Sequence, residues 1–156
     1  MIDQHGYRAN VGIILANSHH QLLWARRAGH QNAWQFPQGG IQADETLQQA
    51  LWRELNEELG LKPDDVSIVA ESSQWYAYRL PKQYIRYSTR PLCLGQKQRW
   101  FLLRLVTDES RIQLDQFEPP EFVEYRWVDY WYPLHHIIDF KHEVYRQVLS
   151  EFEEKL

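Results

Sequence analysis

The segment from Gly39 to Leu61, GGIQADETLQQALWRELNEELGL, limits the fold more than any other part of the chain. Its leucines recur at helical spacing. Either Asp44 or Thr46 suits the N-cap, and Thr46 would complete a capping box with Gln49. Gly60 suits the position just after the last helical turn, where the backbone is often left-handed. The segment therefore predicts one amphipathic helix that must lay its apolar face on another element.

Three glutamates, Glu54, Glu57 and Glu58, lie close together in this helix. At about 100° per residue they fall beside the leucine face, whereas a solvated acidic stripe would lie opposite it. Like charges at this spacing destabilise a helix by roughly 0.2–0.5 kcal/mol, so we expect a compensating charge nearby. A divalent cation supplies it, because magnesium takes carboxylate oxygens together with substrate phosphates. The acid spacing alone leaves a solvated acidic face as an open alternative.

Short runs with strand or helix character surround this segment. Strands are predicted for NVGIILAN, QLLWARR, NAWQFPQGG, VSIVAESSQWYAYRL, QRWFLLRLVTD and VEYRWVDY. The first two are expected to form a hairpin, and the Gly pair of the third is expected to end its strand. Apolar residues at helical spacing in FKHEVYRQVLSEFEEKL predict a C-terminal helix that includes Phe140. Residues 1–156 are thus expected to form one α/β domain, with helices on both faces of a mixed sheet.

The charge is small overall and unevenly distributed. A net charge of −4 excludes a global basic field of the kind that favours nucleic acid. Residues 72–107 nevertheless contain no Asp or Glu, which indicates a local basic strip. The basic residues in it are Arg79, Lys82, Arg86, Arg90, Lys97, Arg99 and Arg104. The single cysteine, the absence of a signal-peptide pattern and the absence of a long apolar run predict a cytoplasmic protein without a membrane partner.

The complete pattern of the first segment is far more specific than its acids. Gly39, Glu45, Arg53-Glu54-Leu55, Glu57-Glu58 and Gly60-Leu61 occupy every fixed position of the Nudix box. The chain is therefore identified as a member of the Nudix hydrolases. The resemblance implies hydrolysis of a nucleoside diphosphate that is linked to another group, with Mg²⁺ or Mn²⁺ as cofactor. It also implies an α/β/α sandwich in which the box forms a loop–helix–loop.

Within that family the chain resembles the bacterial RNA pyrophosphohydrolases from end to end. The matching stretches are GYRANVGIILAN, WARR, WQFPQGGI, GQKQRWFLLRL, PEF, YRWVDYWYP and DFKHEVYRQV. This resemblance implies that 5′-triphosphorylated RNA is converted to 5′-monophosphorylated RNA and pyrophosphate, which opens a transcript to decay. WQFPQGG is also similar to the asymmetrical diadenosine tetraphosphate hydrolases, so dinucleoside polyphosphates are an alternative substrate. The resemblance does not exclude an accessory protein as a partner. The chain could also be an RNA-binding module without catalysis, although the intact box argues against this.

The resemblance also implies catalytic and metal-binding roles. Glu57 and Glu58 are expected to bind the metal, and Glu54 is expected to act as general base and to join the metal site. Arg53 is expected to support these acids by pairing with one of them and with Glu45. Further metal contacts are implied for Glu121 and for the backbone near Gln38 and Gly39.

The implied substrate-binding residues lie mainly outside the box. They are Arg8, Arg27, Tyr78, Lys97, Ile138, Phe140 and Lys141. Arginine forks onto phosphate oxygens, so Arg27 is expected near the 5′ phosphates and Arg8 near the first nucleotides. Phe140, with Ile138 beside it, is expected to stack on a base. Helical spacing alone predicts instead that Phe140 is a core residue.

Overall fold

The computed structural model describes residues 1–30 and 32–156, and these form one mixed sheet with a helix on each face. The strands are β1 (Tyr7–Ala16), β2 (Leu22–Arg27), β3 (Trp34–Gln35), β4 (Gln38–Gly40), β5 (Val66–Glu71), β6 (Tyr76–Arg79), β7 (Gly95–Leu105) and β8 (Phe122–Val128). The helices are α1 (Leu47–Leu59), α2 (Tyr132–His136) and α3 (His142–Phe152). The expected α/β/α sandwich with a mixed sheet is confirmed.

The two longest strands, β1 and β7, form the centre of the sheet. They run parallel over the whole length of β1. On its other edge β1 changes partner, because β4 pairs with residues 10–12 and β2 pairs at Ala16. β5 and β6 both pair antiparallel with β7, and β8 pairs antiparallel with β2. The change of partner along β1 places the short strand β4 against the middle of the sheet, immediately before the segment that leads into α1.

Helix α1 covers one face of the sheet. Leu51 and Leu55 are fully buried and pack in one cluster with Ile13 and Leu15, which alternate along β1. Thr46 is the N-cap, since its Oγ1 accepts from the Gln49 backbone N–H at 3.1 Å. The Gln49 side chain accepts from the Thr46 N–H at 2.9 Å and completes the expected capping box.

Helix α3 covers the opposite face. Its Tyr145 is buried in a cluster with Trp24 of β2 and Trp100 of β7. The Tyr145 ring stacks on Phe36 with 4.8 Å between centroids, and its hydroxyl oxygen accepts from the Phe36 N–H at 3.0 Å. Because Phe36 lies just before β4, the α3 layer helps to fix the strand that opens the Nudix box. No helix in the described ranges is both long enough and apolar enough to span a bilayer.

Three sequence-based predictions of element bounds were wrong. The predicted strand over residues 32–40 is interrupted at Phe36 and Pro37, although the Gly pair does end β4 as expected. The predicted strand over residues 66–80 is divided at Ser72, whose hydroxyl accepts from the Trp100 N–H at 3.0 Å in place of a strand partner. Phe140 lies in a 3₁₀ turn before α3, and its ring packs against Tyr78 outside the helical stripe.

The buried contact between Tyr145 and Phe36 gives a stability prediction. Tyr145→Phe keeps the stacked ring but leaves the Phe36 N–H buried without a partner, so the free energy of unfolding should fall by about 1–3 kcal/mol. Urea unfolding measures it. Tyr87→Phe is the control, because Tyr87 is exposed and should change stability by less than about 0.5 kcal/mol. Equal stability of the two variants would show that the Tyr145 hydroxyl does not contribute to the stability of the fold.

Candidate active site

Arg53 connects the helix of the box to the loop before it. Its Nε and Nη2 donate to the two carboxylate oxygens of Glu45 at 2.7 and 2.9 Å, and Nη2 also donates to Gly40 O at 2.7 Å. Nη1 donates to Glu54 at 2.7 Å and to Glu57 at 3.4 Å. The bonds to Glu45 lower the pKa of that carboxyl and raise the pKa of Arg53. One guanidinium therefore holds β4, the loop and the acidic face of α1 together.

Gly39 lies directly against Glu54. A Cβ atom at Gly39 would fall 2.0 Å from the Glu54 carboxyl carbon, well inside van der Waals contact. The lack of a side chain at this position is what lets the carboxylate rest on the β4 backbone. The pair of glycines is not equivalent, because a Cβ at Gly40 would meet no atom closer than 3.8 Å.

The four acids implied by the resemblance line one cavity of about 340 Å³. Glu54 and Glu58 are 7% and 4% exposed, whereas the side chain of Glu57 is 45% exposed. Glu121 reaches the same cavity from the segment just before β8. The remaining lining residues are Gln38, Gly39, Phe117 and Pro119. Chain folding thus brings Glu121 to the box from a distant part of the sequence.

The chemistry of this cavity fits a hard divalent cation. Burial raises the pKa of Glu58 well above its ordinary value, and the neighbouring Glu54, Glu121 and Glu57 raise it further. Glu58 Oε2 is buried and has no hydrogen-bond partner among the described residues. Within those residues, no group of three His, Cys, Asp or Glu side chains is close enough together to bind a metal ion without rearrangement. The fit rests on the unpaired buried oxygen and on four carboxylates around one space, which is the donor type that Mg²⁺ takes.

A second and larger cavity of about 770 Å³ adjoins the acidic one. The two share Gln38, Gly39 and Glu121 in their walls, so they lie side by side, and we call the pair the cleft. Six of the seven residues that the resemblance assigns to substrate line the larger cavity. They are Arg8, Arg27, Tyr78, Ile138, Phe140 and Lys141.

Basic groups stand where the two cavities meet. Arg27 Nε lies 4.0 Å from Glu121 Oε1, a loose pairing, and its guanidinium has no closer partner among the described residues. Lys141 is 8% exposed, and its Nζ donates to Gln35 Oε1 at 3.3 Å and Gln38 Oε1 at 3.4 Å. Burial, with a smaller effect from the nearby charge of Arg27, lowers the pKa of Lys141 to about 8. The cleft is therefore acidic at one end and basic in the middle.

Aromatic rings form one wall of the larger cavity. Tyr78 is buried, which raises the pKa of its hydroxyl to about 12, and that hydroxyl donates to Gln96 Oε1 at 2.7 Å. The Tyr78 and Phe140 ring centroids are 5.6 Å apart. Ile138 stands exposed at the rim. Phe140 is half-buried, so it packs on the core on one side and faces the cavity on the other.

The structure does not bring Lys97 to the cleft. Its Nζ lies 3.0 Å from Asp3 Oδ2 and 5.3 Å from the Trp75 ring centroid. Successive side chains of a strand point to opposite faces, so Gln96 enters the cavity and Lys97 points away from it. Gln96 was missed by the sequence analysis, although the same period of two identifies it. Gln35 was also missed, and no local signal marks it as a partner of Lys141.

The position of Arg53 gives a prediction about folding stability. A lysine there would keep one positive charge but lacks the fork that reaches Glu45, Glu54 and Gly40 O together. We expect Arg53→Lys to lower the free energy of unfolding by at least about 1.5 kcal/mol, the scale of one charged hydrogen bond. Urea unfolding measures the change. Arg146→Lys is the control, because its pair with Glu143 is exposed on α3; an equal loss of stability in both variants would contradict the proposed role.

Comparisons with known proteins identify the family of this chain. A family model described as the NUDIX domain matches residues 6–152. Curated relatives named RNA pyrophosphohydrolase include one from Acinetobacter baylyi, 57% identical over 151 residues that cover 97% of this chain and 90% of the relative. Another, from Pseudomonas putida strain GB-1, is 57% identical over 156 residues that cover 100% of this chain and 98% of the relative.

Solved structures of low sequence identity share the fold. The E. coli dihydroneopterin triphosphate pyrophosphohydrolase superposes with a TM-score of 0.72 at 19% identity, over 94% of this chain and 96% of that one. A C. elegans Ap4A hydrolase superposes with a TM-score of 0.64 at 15% identity, over 94% of this chain and 98% of that one. With the family match across nearly its whole length and an intact catalytic box, the chain belongs to the Nudix hydrolases.

Proposed function

We propose that this enzyme is an RNA pyrophosphohydrolase that converts 5′-triphosphorylated RNA to 5′-monophosphorylated RNA with release of pyrophosphate. The observation that carries the proposal is the cleft itself, in which an acidic cavity adjoins a basic and aromatic one and shares Gln38, Gly39 and Glu121 with it. A triphosphate needs neutralising groups beside a hydrolytic centre, and a terminal nucleotide needs a flat surface. Relatives of this name at 57% identity over nearly the full chain support the same activity.

The basic middle of the cleft would hold the 5′ phosphates. Among the described residues, the Arg27 guanidinium makes only the loose contact with Glu121, so we take its donors to fork onto phosphate oxygens. Arg8 lines the same cavity at the end of the sheet where β1 begins. Phe140, supported from behind by Tyr78, offers a face to a base, and such stacking is worth about 1–3 kcal/mol.

The acidic cavity would carry the hydrolysis. Mg²⁺ or Mn²⁺ would be held by Glu54, Glu57, Glu58 and Glu121 with the backbone at Gln38 and Gly39, and when bound it supplies charge neutralisation for the phosphates. Glu54 is the proposed general base. Arg53 holds one of its oxygens and the bare backbone of Gly39 accommodates the carboxylate, so its position is fixed before substrate arrives.

The bond changes follow from these positions. A water oxygen forms a bond to the α- or β-phosphorus, the bridging P–O bond between them breaks, and Glu54 accepts the proton of the water. The leaving fragment is pyrophosphate and the RNA retains one phosphate. By removing the triphosphate, the reaction would open transcripts to decay in the cytoplasm, the compartment that the single free Cys93 favours.

A dinucleoside polyphosphate hydrolase is the competing function, because the ring-lined cavity also suits a free adenosine. The experiment compares hydrolysis of a 5′-triphosphorylated RNA and of diadenosine tetraphosphate at equal concentrations with Mg²⁺. We expect the larger kcat/KM on the RNA. A larger kcat/KM on the dinucleotide would reverse the assignment, and metal-independent binding of RNA without turnover would replace it by a binding module.

The assignment of Glu54 gives a catalytic prediction. Glu54→Gln keeps the size of the side chain but removes the base, so turnover of triphosphorylated RNA should fall at least about a hundredfold. The melting temperature should change little, because an amide oxygen can still accept from Arg53. Steady-state kinetics and thermal melting are measured on the same preparation.

The matched control is Glu143→Gln, which removes an exposed glutamate from α3, far from the box in sequence. It should leave turnover unchanged. If Glu54→Gln retains near wild-type turnover at saturating Mg²⁺, another group is the base.

A further inference from the structure

The loop between β6 and β7, residues 80–94, lines the larger cavity at Leu80 and Tyr84, and its other residues lie outside that lining; we call it the basic loop. It carries Lys82, Arg86 and Arg90, all exposed, in a region without any Asp or Glu. Its two tyrosines, Tyr84 and Tyr87, are 51% and 55% exposed. Large aromatic side chains left in solvent beside basic ones form the surface that single-stranded nucleic acid uses, through stacking and backbone contacts.

The charges of the basic loop are not neutralised within the described part of the chain. Lys82 and Arg86 pair with no carboxylate there, and Arg90 donates only to the backbone carbonyls of Tyr87 at 2.6 Å and Thr89 at 2.8 Å. Two other basic residues of the acid-free region differ, since Lys97 pairs with Asp3 and Arg99 pairs with Glu71. Arg79 and Arg104 also form no ion pair within the described residues, but they lie apart from one another, on β6 and β7. The basic loop is therefore where unpaired positive charge collects.

A row of three rings connects the cleft to this loop. Phe140 stands between Tyr78 and Tyr84, with centroid distances of 5.6 Å and 5.4 Å. Exposure rises along the row, from the buried Tyr78 to the half-exposed Tyr84. All three rings line the larger cavity, so the row leads from its wall out to the surface. A strand that leaves the cleft over Phe140 meets Tyr84 next.

We propose that the basic loop binds the RNA strand downstream of the nucleotides held in the cleft, with Tyr84 as the first stacking surface and Arg86 and Arg90 on the following phosphates. The inference rests on the proposed function, because it takes the 5′ end to lie at the carboxylates. RNA fits the basic loop better than an acidic protein does, because Tyr84 continues a row of aromatic rings that begins inside the larger cavity.

The test measures affinity for two 5′-monophosphorylated RNAs, one of twelve unpaired nucleotides and one that consists of its first two nucleotides. Both are products of the proposed reaction and are not cleaved. Tyr84→Ala should weaken binding of the long RNA about tenfold. Arg86→Gln with Arg90→Gln should flatten the log–log salt dependence of that binding by about 1.4, or about 0.7 for each phosphate that is no longer neutralised. The paired change of Arg86 and Arg90 should leave dinucleotide binding and kcat on diadenosine tetraphosphate unchanged, because neither arginine lines the larger cavity.

The matched control is Lys62→Gln with Lys155→Gln, which removes two exposed positive charges elsewhere and should leave the salt dependence near wild type. Long-RNA curves that coincide with wild type for the loop variants would overturn the inference while leaving the proposed function intact. Wild-type protein that cleaves no triphosphorylated RNA would overturn both. Unchanged RNA affinity together with weakened binding of a polyglutamate peptide would assign the loop to an acidic protein instead.

Discussion

The hydrogen bonds of Arg53 are the interaction on which the rest of the site depends. Five bonds from one guanidinium reach Glu45, Glu54, Glu57 and the carbonyl of Gly40. The helix supplies the acids and the sheet supplies the backbone beside them, so neither alone sets their relative position. Because the guanidinium is a planar fork and is partly buried, it fixes directions as well as distances. The cluster of like charges on α1 is tolerable largely because this cation lies within it.

The sheet determines where that cluster faces. One edge of β1 pairs with β2 at one position and with β4 at another, so β4 lies against the middle of the sheet. The side chain of Gln38 then reaches towards the larger cavity, where it contacts Gln96 at 3.0 Å and Lys141 at 3.4 Å. The next residue, Gly39, faces the Glu54 carboxylate. Two adjacent residues thus separate a basic compartment from an acidic one, an arrangement suited to a chain of phosphates that must be held at one end and cleaved at the other.

Much of this was predictable from local sequence, and the remainder depends on contacts between distant segments. The limits of α1 follow from Thr46 and Gly60, because capping is a property of neighbouring residues. Glu121 has no local signal, and only the family resemblance pointed to it before folding placed it beside the box. Lys97 was assigned to the cleft without regard to strand alternation, which turns it towards Asp3. The hydrogen bonds of Lys141 with Gln35 and Gln38 join residues about a hundred positions apart, and no pattern along the chain encodes them.

The most direct measurement is identification of the products from RNA labelled separately at its γ- and β-phosphates. We expect purified enzyme with Mg²⁺ to release both labels together, mainly as pyrophosphate, and to leave RNA with a single 5′ phosphate. This outcome requires the triphosphate to lie across the boundary between the two cavities, with its inner anhydride at the carboxylates. Release of the γ-label alone as orthophosphate, with the β-label kept on the RNA as the final product, would contradict it.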